Sequence, residues 1–331
     1  MGLVPDWTHG GKDGDRRMAG MGESGASALA QNGAPYNLPH MNATPSTILP
    51  AGTDIGTVTM RISDADRALR WYGDMMGMEV IDRTPERLSF GAGGKPCLFL
   101  EIRPDATPRV EETTGLYHAA ILVPDRAALG GVLARIASTG VRLGASDHLV
   151  SEALYIWDPD NNGLEIYRDR PRSEWQWQNG RVAMATEPLD RRSVADEGIA
   201  AGAHLQPMPA GTKIGHVHLQ VGDLEEAHRF YTGVLGFEQT SGRGGAMFVS
   251  AGGYHHHLGL NVWHSLGAPL PAPNACGVVE YEITVPDRVA LDAAKARLEA
   301  AGFATTGSGN GFRFRDPWNI HAHMLVTGDA A

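Results

Sequence analysis

This chain of 331 residues has no long hydrophobic run, very little cysteine and no excess of basic residues. No segment approaches the roughly 18 apolar residues that a membrane-spanning helix needs, and the N-terminus lacks the apolar core of a signal peptide. Its two cysteines, Cys97 and Cys276, are too few for a disulfide framework, so we expect a cytoplasmic protein. Lysine and arginine number 28 against 38 acidic residues, which argues against nucleic-acid or membrane partners.

Residues 1–52 also lack any helical or alternating apolar period. They are rich in glycine, alanine, serine and asparagine, a composition that buries too little apolar surface to fold. The sequence therefore predicts a disordered N-terminal tail, and we assign no chemistry to its histidines, His9 and His40.

The rest of the chain contains an internal repeat. Residues 58–78 align without gaps to 217–237 at an offset of 159, and residues 119–129 align to 281–291 at an offset of 162. Ungapped agreement over such stretches indicates duplication of a structural unit. We call the four resulting units modules one to four, and their approximate limits are 53–103, 115–168, 213–263 and 277–326.

Each module follows the same predicted order of elements. Alternating apolar residues predict a first strand, and an aspartate then stands at the N-cap position of a helix. The helix ends at a glycine, and short apolar runs predict further strands behind it. The capping aspartates are Asp64, Asp125, Asp223 and Asp287, and the terminal glycines are Gly77, Gly140, Gly236 and Gly302.

Four strand–helix–strand units of this kind resemble the vicinal oxygen chelate superfamily, which also includes glyoxalases and bleomycin resistance proteins. Within it, the stretches GLYHAAILVPD, DPDNNGLEIYRDRP, IGHVHLQVGDL and SAGGYHHHLGLNVW resemble two-domain catechol 2,3-dioxygenases of the CatE type. The resemblance implies an α+β fold of four βαβββ modules with cupped mixed sheets and flanking helices. The modules would form two tandem domains, 53–168 and 213–327, joined by a linker at 169–212.

The resemblance also indicates the positions of metal ligands, on the first and the last strand of a module. The first-strand positions lie seven residues before each capping aspartate, and they hold Thr57, His118, His216 and Glu280. The last-strand positions of modules two and four hold Glu165 and His323. His118, Glu165 and His216 would form a two-histidine, one-carboxylate triad that suits Fe(II) and leaves coordination positions open, with Mn(II) as the alternative metal. Modules two and three must then face each other.

Other interpretations of these residues stay open. His216, Glu280 and His323 have the same composition and would place the site between modules three and four. Alternatively, the histidines are hydrogen-bonded core residues and Glu165 is a surface residue. Thr57 in a ligand position indicates that modules one and four hold no active site.

Further residues match the ring-cleaving enzymes. The run of three histidines at 255–257 resembles the segment that holds the acid–base residue, which places that role on His256. We expect His256 to lie on the last strand of module three, so that His255 and His257 face away from it. Tyr155 has the spacing of the active-site tyrosine, although a core aromatic residue would also fit. His148 resembles the other pocket histidine, with a two-residue insertion in its segment. His218 shares a strand face with His216 and is expected to line the pocket.

The leading hypothesis is therefore a non-haem Fe(II) extradiol dioxygenase. Its partners would be O₂ and a small aromatic diol, either of the catechol type or of the hydroquinone type. One alternative is a metal-dependent isomerase or transferase similar to glyoxalase I, which usually presents a second carboxylate. Another is a metal-free small-molecule-binding protein of the resistance type. The sequence leaves the oligomeric state open, a homo-oligomer included.

Overall fold

A computed structural model describes residues 48–178 and 181–327 of the chain. The predicted tail therefore lies outside the described residues as far as position 47. Residues 48–52 of the predicted tail are described, and among them Leu49 is buried. The backbone amide of Leu49 donates to the carbonyl of Gly236 at 2.8 Å. The packed part of the chain thus begins a few residues before 53. None of the helices in the described stretches has the length and apolar character needed to cross a membrane.

The described residues form the strands and helices of four βαβββ modules, as predicted. The strands in chain order are β1 (Asp54–Ile62), β2 (Glu79–Arg83), β3 (Arg87–Ala92), β4 (Lys95–Ile102), β5 (Gly115–Leu122), β6 (Gly144–Asp147), β7 (Ser151–Trp157), β8 (Gly163–Asp169), β9 (Trp177–Gln178), β10 (Arg181–Val182), β11 (Glu187–Pro188), β12 (Lys213–Gln220), β13 (Glu238–Arg243), β14 (Ala246–Ser250), β15 (Leu258–Asn261), β16 (Gly277–Val285), β17 (Thr306–Ser308), β18 (Gly311–Arg315) and β19 (His321–Val326). The helices are α1 (Ala65–Ala68, continued by a π-helix at Leu69–Met75), α2 (Arg126–Ala137), α3 (Arg191–Ala200), α4 (Leu224–His228, continued by a π-helix at Arg229–Val234) and α5 (Arg288–Ala300). Two short 3₁₀ turns lie at Arg172–Glu174 and Ala203–Leu205.

The predicted helix boundaries are confirmed by local geometry. Each capping aspartate accepts a hydrogen bond from the backbone amide three residues later, at 2.7 to 2.8 Å. The four glycines after the helices adopt φ between 73° and 93°, the left-handed region that a residue with a Cβ avoids. These local signals position the first strand of each module relative to its helix.

Two large sheets bring the modules together in pairs. The first sheet has the strand order β17-β18-β19-β16-β1-β4-β3-β2, and the second has the order β11-β6-β7-β8-β5-β12-β15-β14-β13. Module one therefore pairs with module four, and module two pairs with module three, through antiparallel contacts between their first strands. The pairing of modules two and three is the one that the predicted triad requires. Each sheet takes one module from 53–168 and one from 213–327.

The segment predicted as a linker folds onto module two. Its helix α3 packs against α2 at very short range, because Gly130 and Gly198 face each other. A Cβ on Gly198 would lie 2.2 Å from the backbone of Gly130, so the two helix backbones touch where neither residue has a side chain. Strand β11 then adds to the edge of the second sheet by pairing with β6.

Candidate metal centre and aromatic cavity

The second sheet brings the three predicted metal ligands to one point. His118 lies on β5, Glu165 on β8 and His216 on β12, which are adjacent strands. The Nε2 atoms of His118 and His216 lie 2.9 and 3.0 Å from the same Glu165 oxygen, Oε2. Ligand atoms of all three residues lie within 4.8 Å of one another, and no second group of this kind occurs within 48–178 and 181–327.

The spacing of these atoms fits a metal ion. Two ligand atoms that each lie about 2.1 Å from one ion, at right angles, are ~3 Å apart. That is the separation between each imidazole nitrogen and the Glu165 carboxylate. Although His118 Nε2 is buried beside this carboxylate, it has no partner in hydrogen-bond geometry among the described residues. A metal ion bound here would give this buried nitrogen a partner.

The electrostatics of the triad favour the forms that bind a metal. Burial lowers the pKa of His216 to about 4, against the opposing effect of Glu165. Burial alone would raise the pKa of the Glu165 carboxyl group, but the adjacent imidazoles hold this pKa well below its ordinary value. At neutral pH the site thus presents an ionised Glu165 and a neutral His216, as metal ligation requires.

The triad forms part of the wall of a cavity of about 160 Å³. In another protein, an engineered cavity of about 150 Å³ binds benzene, so this cavity matches one aromatic ring in size. Its wall includes the aromatic side chains of Tyr117, Phe248 and Trp263. The arrangement places aromatic side chains and the three polar ligands around one cavity.

His148 and Tyr155 lie together in the wall of the cavity, as the sequence predicts for pocket residues. His148 Nδ1 lies 2.6 Å from the carbonyl oxygen of Ala185, which can only accept, so this nitrogen carries a proton. In a neutral ring Nε2 then accepts, and the Tyr155 hydroxyl, 2.7 Å away, donates to it. Burial raises the pKa of Tyr155 well above its ordinary value, which keeps the phenol protonated.

The run of histidines does not lie on a strand, and the predicted position of His256 on the last strand of module three is wrong. Strand β15 begins at Leu258, so residues 255–257 form the turn before it. His256 nevertheless lines the cavity, and its ring centroid lies 4.1 Å from that of His216. His257 faces elsewhere and approaches the Ser250 hydroxyl with Nδ1 at 3.1 Å.

A glycine occupies the position where a fourth ligand would stand. Glu165 lies opposite Ala120 in the pairing of β8 with β5, and Gly259 lies opposite His218 in the equivalent pairing of β15 with β12. The last strand of module three therefore offers no side chain at the position of Glu165. His218 lines the cavity instead, as predicted, and its Nε2 lies 3.0 Å from the side-chain nitrogen Nδ2 of Asn261.

The alternative set of His216, Glu280 and His323 is not assembled within the described residues. Glu280 and His323 belong to the first sheet, whereas His216 belongs to the second. The Glu280 carboxylate accepts from Arg313 Nε at 2.6 Å. Thr57 occupies the first-strand ligand position of module one, and its hydroxyl donates to the Glu282 carboxylate at 2.7 Å. In the first sheet the ligand positions are thus occupied by other hydrogen bonds, between modules one and four at Thr57 and inside module four at Glu280.

Several cavity residues were not predicted from the sequence. Tyr117 and Trp263 lie inside stretches that carry the family resemblance, so a signal existed for both. Met184 and Thr186 come from the linker, where no period or motif marks them. Their place at the cavity depends on the docking of residues 181–188 across the second sheet.

Comparison with known proteins decides the family. The sequence profile of the glyoxalase/bleomycin resistance protein/dioxygenase superfamily matches residues 54–166 and 213–321. The chain belongs to this superfamily. A catechol-2,3-dioxygenase of Bacillus subtilis (strain 168) is 43% identical over 270 residues, which cover 80% of this chain and 94% of that protein.

Solved structures support the same fold at low sequence identity. A crystal structure from Bacillus subtilis subsp. subtilis str. 168 superposes with a TM-score of 0.58 at 14% identity, covering 83% of this chain and 85% of that one. Glyoxalase I from Zea mays superposes with a TM-score of 0.50 at 16% identity, covering 83% and 92%. Membership of the superfamily and the His/His/Glu cluster together imply a divalent metal.

Proposed function

We propose that this protein is an extradiol dioxygenase that uses Fe(II) and O₂ to cleave the ring of a catechol-type diol. The observation that carries the proposal is that the triad lies in the wall of a cavity whose volume matches one aromatic ring. The identity of 43% to a catechol-2,3-dioxygenase supports the same activity. The cytoplasm, where Cys97 and Cys276 would stay reduced, remains our prediction for its location.

His118, Glu165 and His216 would hold the metal. Two imidazoles and one carboxylate on one face leave positions for two diol oxygens and for O₂. When bound, Fe(II) supplies chelation of the diol and activation of O₂, and Mn(II) is the alternative ion with similar ligand preferences. The position equivalent to Glu165 adds no fourth ligand to these three, because it holds Gly259.

The remaining cavity residues orient the diol and handle its protons. Phe248 and Trp263 would enclose the flat ring and exclude water from it. Tyr155, whose proton points to His148, can accept a hydrogen bond from the diol or donate to an oxygen atom after rotation. His256 would accept the proton of one diol hydroxyl group and return it later, since a neutral imidazole can serve as a general base. Burial lowers the pKa of His256 well below its ordinary value, so its ring is neutral before the diol arrives.

Gly259 and the burial of the triad distinguish this proposal from its two alternatives. A glyoxalase-type isomerase with four protein ligands needs an acidic side chain there, and the ring of His218 fills the space instead. A metal-free binding protein has no need for three converging ligands that are each at most 5% exposed.

The test is anaerobic reconstitution of the purified chain with Fe(II), followed by addition of catechol and then air. We expect a yellow ring-fission product, identified by its absorption and mass as the product of cleavage beside the two hydroxyl groups. Parallel samples loaded with Mn(II) and Zn(II) establish which ion supports turnover. Hydroquinone serves as the matched substrate with para hydroxyls, and exclusive cleavage of hydroquinone would contradict the assignment of catechol-type diols.

A further inference from the structure

A chain of hydrogen bonds leads from the cavity to the surface through two consecutive histidines. His256 Nδ1 lies 2.7 Å from His255 Nδ1, and His255 Nε2 lies 2.9 Å from Asp169 Oδ1. The His255 side chain is 1% exposed, whereas that of Asp169 is 25% exposed. The carboxylate at the end of β8 is thus connected to the cavity wall by two nearly buried rings.

The donors and acceptors in this chain can be assigned. An ionised carboxylate only accepts, so His255 Nε2 donates to Asp169. In a neutral His255 ring, Nδ1 then has a lone pair and accepts. His256 Nδ1 must therefore donate, which uses the single proton of a neutral His256 ring. The remaining nitrogen, His256 Nε2, keeps its lone pair.

We propose that Asp169 and His255 are positioning residues that hold His256 in the tautomer with Nδ1 protonated. His256 Nε2 is then a ready proton acceptor for a ligand in the cavity. The role in turnover rests on the function proposed above, whereas the tautomer is a property of the folded chain. In serine proteases a carboxylate bonded directly to the reacting histidine fixes its tautomer, and here a second imidazole, His255, lies between the carboxylate and His256.

The third histidine of the run provides a matched comparison. His257 Nε2 lies 3.9 Å from Asp54 Oδ1, beyond hydrogen-bond distance. Its Nδ1 is engaged by Ser250 and by the amide of Ala251, at 3.1 and 3.2 Å. Asp54 is therefore a carboxylate near a histidine of the same run, but it takes no part in the series of hydrogen bonds that leads from the cavity to Asp169.

Ring ¹⁵N shifts of the full-length chain, labelled at histidine and studied both metal-free and loaded with Zn(II), test the tautomer. His256→Phe identifies the His256 signals. We expect His256 Nδ1 to be protonated and Nε2 to be unprotonated in the wild type. Asp169→Ala should convert His256 to a mixture of tautomers or to the opposite one. Asp169→Glu should restore the wild-type pattern, and Asp54→Ala should leave it unchanged. Protonated Nε2 in the wild type, or identical His256 signals in Asp169→Ala, would overturn the assignment.

Turnover of the iron-loaded variants separates this inference from the proposed function. Asp169→Ala should lower kcat by about 10-fold to 100-fold, the usual effect of a residue that orients a ligand or base, with little change in KM for catechol. Asp169→Glu should recover most of the rate. If the tautomer changes and kcat does not, the role of positioning in turnover is overturned. If wild-type turnover is absent with every metal, the proposed function fails while the shifts still decide the tautomer.

Discussion

The ring of His218 fills the space that a side chain on Gly259 would need. A Cβ at position 259 would lie 2.8 Å from His218 Cγ and 2.9 Å from Cδ2, closer than such atoms pack. Gly259 stands where its duplicated partner Glu165 contributes a carboxylate. The two modules of the second sheet therefore differ at this position. Module two provides the ligand Glu165, whereas module three has Gly259 covered by the ring of His218.

Gly259→Ala should displace the His218 ring and reduce catechol turnover while metal content stays the same. A displacement of about 1 Å near reacting groups costs up to about 100-fold in rate, so we expect a loss of kcat/KM within that range. Steady-state kinetics and metal analysis on the same preparation are the measurement.

The control for this substitution is the same change in a His218→Ala background. There the added methyl group has no ring to displace, so Gly259→Ala should have little additional effect. An equal loss in both backgrounds would mean that the methyl group acts through another contact.

The triad predicts which single substitutions remove the metal. His118→Ala and Glu165→Ala should each lose tightly bound metal, because each removes one of three ligands at a site whose atoms converge within 4.8 Å. Metal analysis after dialysis and a thermal unfolding curve distinguish lost binding from lost folding. His323→Ala, in the first sheet, is the matched control and should keep full occupancy. Loss of metal in His323→Ala, with retention in His118→Ala, would move the site to modules three and four.

The internal repeat explains why so much of this site could be predicted from the sequence. Helix caps are local, as at Asp125, whose carboxylate accepts from the amide three residues ahead. The family resemblance indicates that ligands lie on the first strand, and once the caps are aligned those positions are located by counting. His118 and His216 then stand out because duplication alone would place an apolar residue on a buried strand.

The features that escaped prediction depend on contacts between distant segments. The close contact between Gly130 and Gly198 exists only when helices α2 and α3 are packed together, so neither glycine could be recognised from its local sequence. Residues 255–257 read as a strand because β15 follows them directly, but the chain enters that strand only at Leu258. Met184 reaches the cavity because β11 joins β6 at the edge of the sheet, and no local pattern encodes that pairing.

Leu49 lies within the segment predicted as a tail, and its burial predicts a large effect on stability. Leu49→Ala should lower the free energy of unfolding by about 2–5 kcal/mol, as usual for a buried leucine that leaves a cavity. Its side chain is 2% exposed, whereas that of Leu205 is 74% exposed. Leu205→Ala should therefore change stability by no more than about 0.5 kcal/mol. Denaturant unfolding of both variants is the measurement, and equal stabilities would show that the contact of Leu49 with the core contributes nothing.

The proton-transfer role of His256 can be separated from metal binding. His256 lines the cavity beside His216 but is absent from the cluster of ligand atoms. His256→Phe should therefore retain iron and still bind catechol, while ring cleavage slows by about 100-fold to 10,000-fold, the range for loss of a general acid–base group. Iron analysis, anaerobic spectral titration with catechol and single-turnover reaction with O₂ measure the three properties separately.

His257→Phe is the control for the His256→Phe experiment. His257 is also buried and belongs to the same turn, but its ring is held by Ser250 and Ala251 and does not line the cavity. Its replacement should cost stability through lost hydrogen bonds, at about 1–3 kcal/mol, while the rate of ring cleavage stays near that of the wild type. Loss of iron in His256→Phe would make His256 a ligand. An equal loss of rate in both variants would mean that the turn as a whole, and not the His256 imidazole, supports the reaction.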